Sequence, residues 1–190
     1  RFVFEALDGN WALAPSRGQV SGGTQIAIST TSYSHDLSDV HCVFGSTEVP
    51  ATFSLTDGFL CLSPITSTPG TVTLRIVEGV ARRDISGDLS FEYFVSPVLS
   101  FVQPSHGIVF GGTTVSLIGT GFSGIDTVCK FGEEIVSGNQ IKAISASIVL
   151  CISPAARATG PVSLSVSLNG GADFTDGNFQ YVYGAAATVS

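Results

Sequence analysis

Two tandem immunoglobulin-like β-sandwiches, an all-β chain, are what this sequence predicts. The chain of 190 residues says nearly the same thing twice. Pro15-Ser16-Arg17-Gly18 returns as Pro104-Ser105-His106-Gly107, and Gly22-Gly23-Thr24 as Gly111-Gly112-Thr113. Apolar residues also alternate with Ser and Thr, as in Val162-Ser163-Leu164-Ser165-Val166-Ser167-Leu168, which buries one face of a strand and wets the other. Turn signals such as Thr56-Asp57-Gly58, Thr68-Pro69-Gly70, Ser137-Gly138-Asn139 and Asn169-Gly170-Gly171 separate such runs, and no stretch sustains helical periodicity.

In chain order, each Gly-Gly-Thr turn enters an alternating strand, Ile26 and Ile28 in the first repeat and Val115 and Leu117 in the second. Cys42-Val43-Phe44-Gly45 pairs with Cys129-Lys130-Phe131-Gly132, and Cys61-Leu62-Ser63-Pro64 with Cys151-Ile152-Ser153-Pro154. Gly70 with Val72, Leu74 and Ile76 matches Gly160 with Val162, Leu164 and Val166, and Phe91-Glu92-Tyr93 is aligned with Phe179-Gln180-Tyr181. A repeat this long is a domain duplication, since solenoid units run to about 20–50 residues. About seven short strands are expected in each unit. Phe2 and Phe4 stand as far before Pro15 as Phe91 and Tyr93 stand before Pro104. The spacing therefore predicts that residues 1–8 end a preceding repeat, that 9–95 and 97–184 are the two domains, and that 185–190 begin a following repeat.

The four cysteines fall two per repeat at matching places, which predicts one disulfide per domain, Cys42–Cys61 and Cys129–Cys151. That pairing implies an oxidising compartment. Buried free thiols are the competing reading, and a zinc site lacks the further Cys and His ligands it needs. Charged residues make up 12% of the chain and its net charge is −7. No Lys/Arg cluster exists beyond Arg82-Arg83, so a nucleic-acid partner is not expected. No apolar run reaches the roughly 18 residues that span a bilayer, so no direct membrane insertion is expected of this segment.

Between the strands ending near Val95 and starting at Val98 lie only Ser96 and Pro97. Proline fixes its own φ and restricts the residue before it, so this joint is expected to be stiff. Trp11, the single tryptophan, belongs either to the joint with a preceding domain or to the core.

Pro-x-x-Gly, Gly-Gly-Thr with its alternating strand, Cys-x-Phe-Gly, Cys-x-Ser-Pro, Gly-Pro-Val-Ser-Leu-Ser-Val and a closing Phe-x-Tyr together resemble the IPT/TIG family. These are immunoglobulin-like domains of plexins, transcription factors and tandem cell-surface proteins. Residues 104–183 carry the pattern most fully, including Gly119-Thr120-Gly121-Phe122, whereas Thr30-Thr31-Ser32-Tyr33 stands at that block in the first repeat. Paired cysteines, acidic charge and tandem copies make the chain similar to the extracellular branch, which implies an extracellular or cell-surface address. The resemblance leaves function open, because fold does not fix function.

Catalytic candidates are few. His35, Asp36 and Asp39 form the nearest polar cluster, and an acid–base or metal site there would need a further ligand from elsewhere. His106 stands where the first repeat has Arg17, as at a tolerant surface position. Asp173 and Asp176 lie in a glycine-bounded turn without the spacing of a calcium loop. No catalytic motif is present, so no enzyme activity and no cofactor are expected. The expected function is a structural or adhesive segment of a long extracellular protein: a stalk, fibre or filament subunit. Its partners would be other copies of the array, other extracellular proteins, and glycans. A ligand-binding receptor ectodomain is the alternative, and an accessory module of a carbohydrate enzyme the third reading.

Overall fold

The structure is a computed structural model and describes residues 11–30, 39–54, 57–123 and 126–185. Contacts divide the chain into two units, Arg1–Val95 and Ser96–Ser190. Residues 1–8, the chain end from Ala187, His35 and Asp36 lie outside the described residues, and so do the positions between Thr31 and Ser38 where the two repeats diverge.

The first unit contains β1 (Trp11–Ala14), β2 (Arg17–Gln19), β3 (Gln25–Thr30), β4 (Val40–Phe44), β5 (Thr47–Pro50), β6 (Thr52–Ser54), β7 (Gly58–Leu62), β8 (Gly70–Glu78), β9 (Arg83–Asp84) and β10 (Leu89–Phe94). They form one sheet of order β1-β3-β7-β6 and another of order β2-β10-β8-β4-β5, with β9 added to β8. The second unit contains β11 (Val98–Gln103), β12 (His106–Ile108), β13 (Thr114–Thr120), β14 (Val128–Phe131), β15 (Glu134–Val136), β16 (Ile141–Ser145), β17 (Ile148–Ile152), β18 (Gly160–Ser167) and β19 (Phe179–Gly184). Its sheets run β11-β13-β17-β16 and β12-β19-β18-β14-β15, repeating the first unit without a counterpart of β9.

Among the described residues ten and nine strands stand where about seven were expected in each unit, and proline explains part of the difference. Pro15 and Pro104 lack the N–H that a ladder needs. At each one the opening strand stops in the first sheet, and its continuation, β2 or β12, pairs parallel to the last strand of the other sheet. A similar crossing at Pro50-Ala51 sends β5 to one sheet and β6 to the other. In the second unit three further residues, Gly138–Gln140, make a 3-10 turn at that crossing.

The recurring blocks are one hydrogen-bonded clasp built twice. The Thr24 N–H donates to Ser63 Oγ at 3.1 Å, and the Thr113 N–H to Ser153 Oγ at 3.1 Å. Gly23 and Gly112 each donate a backbone N–H to the carbonyl of that same serine at 2.8 Å. Both serines are buried, and Ser63 satisfies the buried N–H of Thr24, which would otherwise cost free energy. The Tyr93 hydroxyl donates to the Pro64 carbonyl at 3.0 Å, and Tyr183 to the Pro154 carbonyl at 2.9 Å. Burial pushes both phenols up to about 12, so they remain donors at neutral pH. Gly18 and Gly107 recur because a β-carbon there would stand 2.4 Å and 2.5 Å from the hydroxyls of Thr24 and Thr113.

This clasp corrects the alignment of the last block. Tyr93 lies opposite Gly70 and Tyr183 opposite Gly160, so Tyr93 corresponds to Tyr183 and not to Tyr181. Phe91, opposite Val72, corresponds to Tyr181, opposite Val162. Both positions pack edge-on against the following tyrosine and against the Phe of the Phe-Gly block. The Tyr181 hydroxyl is buried with no partner among the described residues.

Opposite outcomes follow for two neighbouring tyrosines. Tyr183→Phe removes a made hydrogen bond and should destabilise the second domain by about 1 kcal/mol. Tyr181→Phe removes an unmade one, reproduces the first repeat's Phe91, and should be neutral or stabilising by about 1 kcal/mol. Urea midpoints of the two variants, measured side by side, check both signs.

Candidate interaction surface

Each core is held by its own cluster. Ile26, Ile28, Phe59, Leu74, Ile76 and Phe91 centre the first, and Val115, Leu117, Phe131, Val149, Leu164 and Tyr181 the second. Disulfides join Cys42 of β4 to Cys61 of β7, and Cys129 of β14 to Cys151 of β17, so each ties one sheet of its sandwich to the other. All four cysteines are buried.

Trp11 leans on its own domain's core, its ring 5.8 Å from that of Phe59, and its indole N–H is buried without a partner among the described residues. Pro97 is buried, and the turn at Gly121 comes within ordinary contact distance of it, while Ser96 is half-buried.

Of the polar cluster only Asp39 lies within the described residues. Asp39 takes part in a network with a histidine that sequence reasoning gave no role. Arg82 reaches Asp39 and Glu48 at 2.9 Å each, and the two ring nitrogens of His41 face the same two carboxylates at 3.6 and 3.7 Å. Among the described residues no three His, Cys, Asp or Glu converge as a metal site would require. The arrangement pins the β8–β9 hairpin, whose Gly79 N–H donates to the Asp39 carbonyl. Asp173 is likewise engaged in its turn: it accepts a hydrogen bond from the Asn169 amide at 2.8 Å and donates its backbone N–H to Asn169 Oδ1 at 2.9 Å.

The more informative feature is where charge is placed. The first unit's ion pairs belong to one sheet and the turns beside it: Arg17 with Glu92, Arg75 with Asp84 and Asp88, Arg83 with Glu78, and the Arg82 network. Strands β1, β3, β6 and β7 of the opposite sheet contain no charged residue at all. In the second unit β11, β13, β16 and β17 contain one, Lys142 on the edge strand.

Alternation turns Ile26, Ile28, Phe59 and Cys61 inward, leaving Ala27, Ser29, Leu60 and Leu62 on the outer face. On the equivalent face of the second unit, Phe101 lies beside Ile118, and Ile118 beside Ile148. Phe101 and Leu62 are each more than half exposed. An open groove of about 690 Å³ runs along the same sheet of the first unit, between Val49-Pro50 and Leu60, Leu62 and Pro64. Such a surface can bury apolar area without stripping water from a charge. Single residues could be read as apolar from the sequence, but their gathering onto one sheet needed the strand order.

The IPT/TIG domain model matches residues 12–93 and 97–183. Plexin-A4 of Mus musculus is 30% identical over 153 residues, which cover 78% of this chain and 8% of that protein. Fibrocystin-L of Mus musculus is 40% identical over 74 residues, 39% of this chain and 2% of that protein. Among solved structures, the full extracellular region of plexin A4 superposes with a TM-score of 0.53 at 17% identity, covering 94% of this chain and 16% of that one. The plexin matches and the disulfides place the chain outside the cell or at its surface. Among the described residues no helix is long and apolar enough to cross a membrane.

Proposed function

Since the chain belongs to the IPT/TIG domain family, each repeat being one such domain, we propose that it is a structural and adhesive segment of a longer extracellular protein, working as a stalk, fibre or filament subunit. The observation that carries this reading is an outer face nearly empty of charge in both domains, with none in the first and only Lys142 of the edge strand in the second. A chain of net charge −7 repels its own copies, and contact through faces without charge minimises that repulsion. The partners are other copies of the array or other extracellular proteins, with glycans as a further class.

Sedimentation of the wild-type chain should show concentration-dependent association that strengthens as apolar surfaces meet. Leu60→Asp with Ile118→Asp, one charge on each face among uncharged cross-strand neighbours, should shift the dissociation constant by about tenfold or more, since a buried unpaired charge costs well above 1.4 kcal/mol. Association unaffected by the pair would overturn the reading.

Position along such an array is set by the joint. Ser96 and Pro97 leave few soft torsions between β10 and β11, so labels on the two domains should give a narrow distance distribution. Replacing the pair with a long Gly/Ser linker should broaden it. An equally broad distribution in the unchanged chain would favour a flexible tether.

A ligand-binding ectodomain of a receptor is the second reading, supported by the plexin matches that run across both repeats. The apolar groove beside Leu62 and Pro64 is then the place where a ligand would meet the first domain.

A further inference from the structure

We propose that the loop joining β7 to β8 is an O-glycosylation site, with Thr68 and Ser67 as acceptors of an N-acetylhexosamine. It goes beyond the reading above and rests only on the extracellular setting.

The loop runs Pro64-Ile65-Thr66-Ser67-Thr68-Pro69-Gly70, and from Gly58 to Leu74 no residue is charged. Ile65, Ser67, Thr68, Pro69 and Gly70 are all exposed. The three hydroxyls differ in what they do. Thr66 Oγ1 is used inside the loop, donating to the Thr68 carbonyl and accepting the Thr68 N–H, each at 3.4 Å. The side-chain oxygens of Ser67 and Thr68 take no part in that turn and face solvent. Pro69 holds Thr68 in the extended region and has no N–H of its own to offer a ladder. Hydroxyl-rich segments bracketed by proline are the composition of O-glycosylated stalks.

The second repeat supplies an internal control. Its loop, Pro154-Ala155-Ala156-Arg157-Ala158-Thr159-Gly160, occupies the same place in the fold. The backbone is held alike in both: the Thr66 N–H donates to the Val20 carbonyl at 2.9 Å, and the Ala156 N–H to the Val109 carbonyl at 2.8 Å. Yet Ala156, Arg157 and Ala158 stand where the first repeat has Thr66, Ser67 and Thr68. The fold therefore does not require these hydroxyls, and the loop turn uses only that of Thr66, which leaves Ser67 and Thr68 for another use. The chain also contains no Asn-x-Ser/Thr acceptor, so N-linked sugar cannot hydrate its weakly charged surface.

The chemistry is a group transfer from a nucleotide-activated sugar. Thr68 Oγ1 attacks the anomeric carbon, the bond from that carbon to the diphosphate oxygen breaks, and the nucleoside diphosphate leaves. The hydroxyl proton passes to a base of the transferase, and nothing is oxidised or reduced.

The test uses the whole chain, made without glycosylation, incubated with UDP-N-acetylgalactosamine and a polypeptide N-acetylgalactosaminyltransferase. Fragmentation mass spectrometry that keeps the sugar attached should place it on Thr68 or Ser67 and leave residues 154–160 bare. Ser67→Ala with Thr68→Ala should abolish incorporation. Ala158→Thr with Thr159→Pro, grafted into the second repeat, should create a second acceptor on the same backbone. No incorporation, sugar only on strands or elsewhere, or a graft that stays bare would overturn the proposal. Self-association of the unglycosylated chain is a separate measurement, so failure here leaves the adhesive reading standing and the reverse also holds.

Discussion

Replacing Cys129 and Cys151 together by alanine is expected to destabilise the second domain by about 3 kcal/mol, and Cys42 with Cys61 to do the same in the first. The sequence separations are 22 and 19 residues, and a closed loop of that size removes roughly that much free energy from the folded-versus-unfolded balance in the chain-entropy model. Each bridge joins the two sheets of its sandwich, so the unfolded chain gains most of its freedom at the contact that defines the fold. For a domain of this size the loss lowers the melting temperature by at least about 10 °C. Non-reducing peptide mapping comes first: free thiols, or a Cys42–Cys129 link, would remove the basis of the prediction. If mapping confirms the pairs and reduction still leaves the unfolding midpoint unchanged, the bridges contribute nothing to stability.

Leu164→Ala and Leu74→Ala should each cost about 2–5 kcal/mol, because both leucines are fully buried at equivalent places in their sandwiches. The two core clusters share no member, so each loss should be confined to its own domain. Hydrogen exchange resolved by residue provides the readout. Leu164→Ala should speed exchange in β13, β14, β17 and β18 while β3, β4, β7 and β8 keep their protection. Uniform acceleration across both domains would show one cooperative unit, in place of two that unfold separately.

Several features were legible in the residues alone. Duplication of whole blocks indicated two domains, and alternation of apolar residues with Ser and Thr indicated strands, because a strand's side-chain period of two is a local property. Cys42 and Cys61 could be paired because a duplicated cysteine block constrains both copies at once. Other features depend on which strands become neighbours. Pro15 and Pro104 stand in the sequence only as members of a recurring block, yet they mark where the chain changes sheets, and only the parallel pairing of β2 with β10 and β12 with β19 reveals it. The Phe91–Tyr181 equivalence was masked by Phe179 two residues earlier: period two makes a shift of two invisible to pattern, and the register opposite Gly70 and Gly160 decides it. Ser63 and Ser153 look like loop residues, and their purpose emerges only when Thr24 and Thr113 come within hydrogen-bonding distance. Charge segregation is the clearest division. Composition established that charges are few, since a count needs no geometry. Tertiary structure alone decided that they leave one whole sheet of the first sandwich and all but Lys142 of its counterpart in the second, because β1, β3, β6 and β7 come from four separate stretches of chain and share a face only once folded.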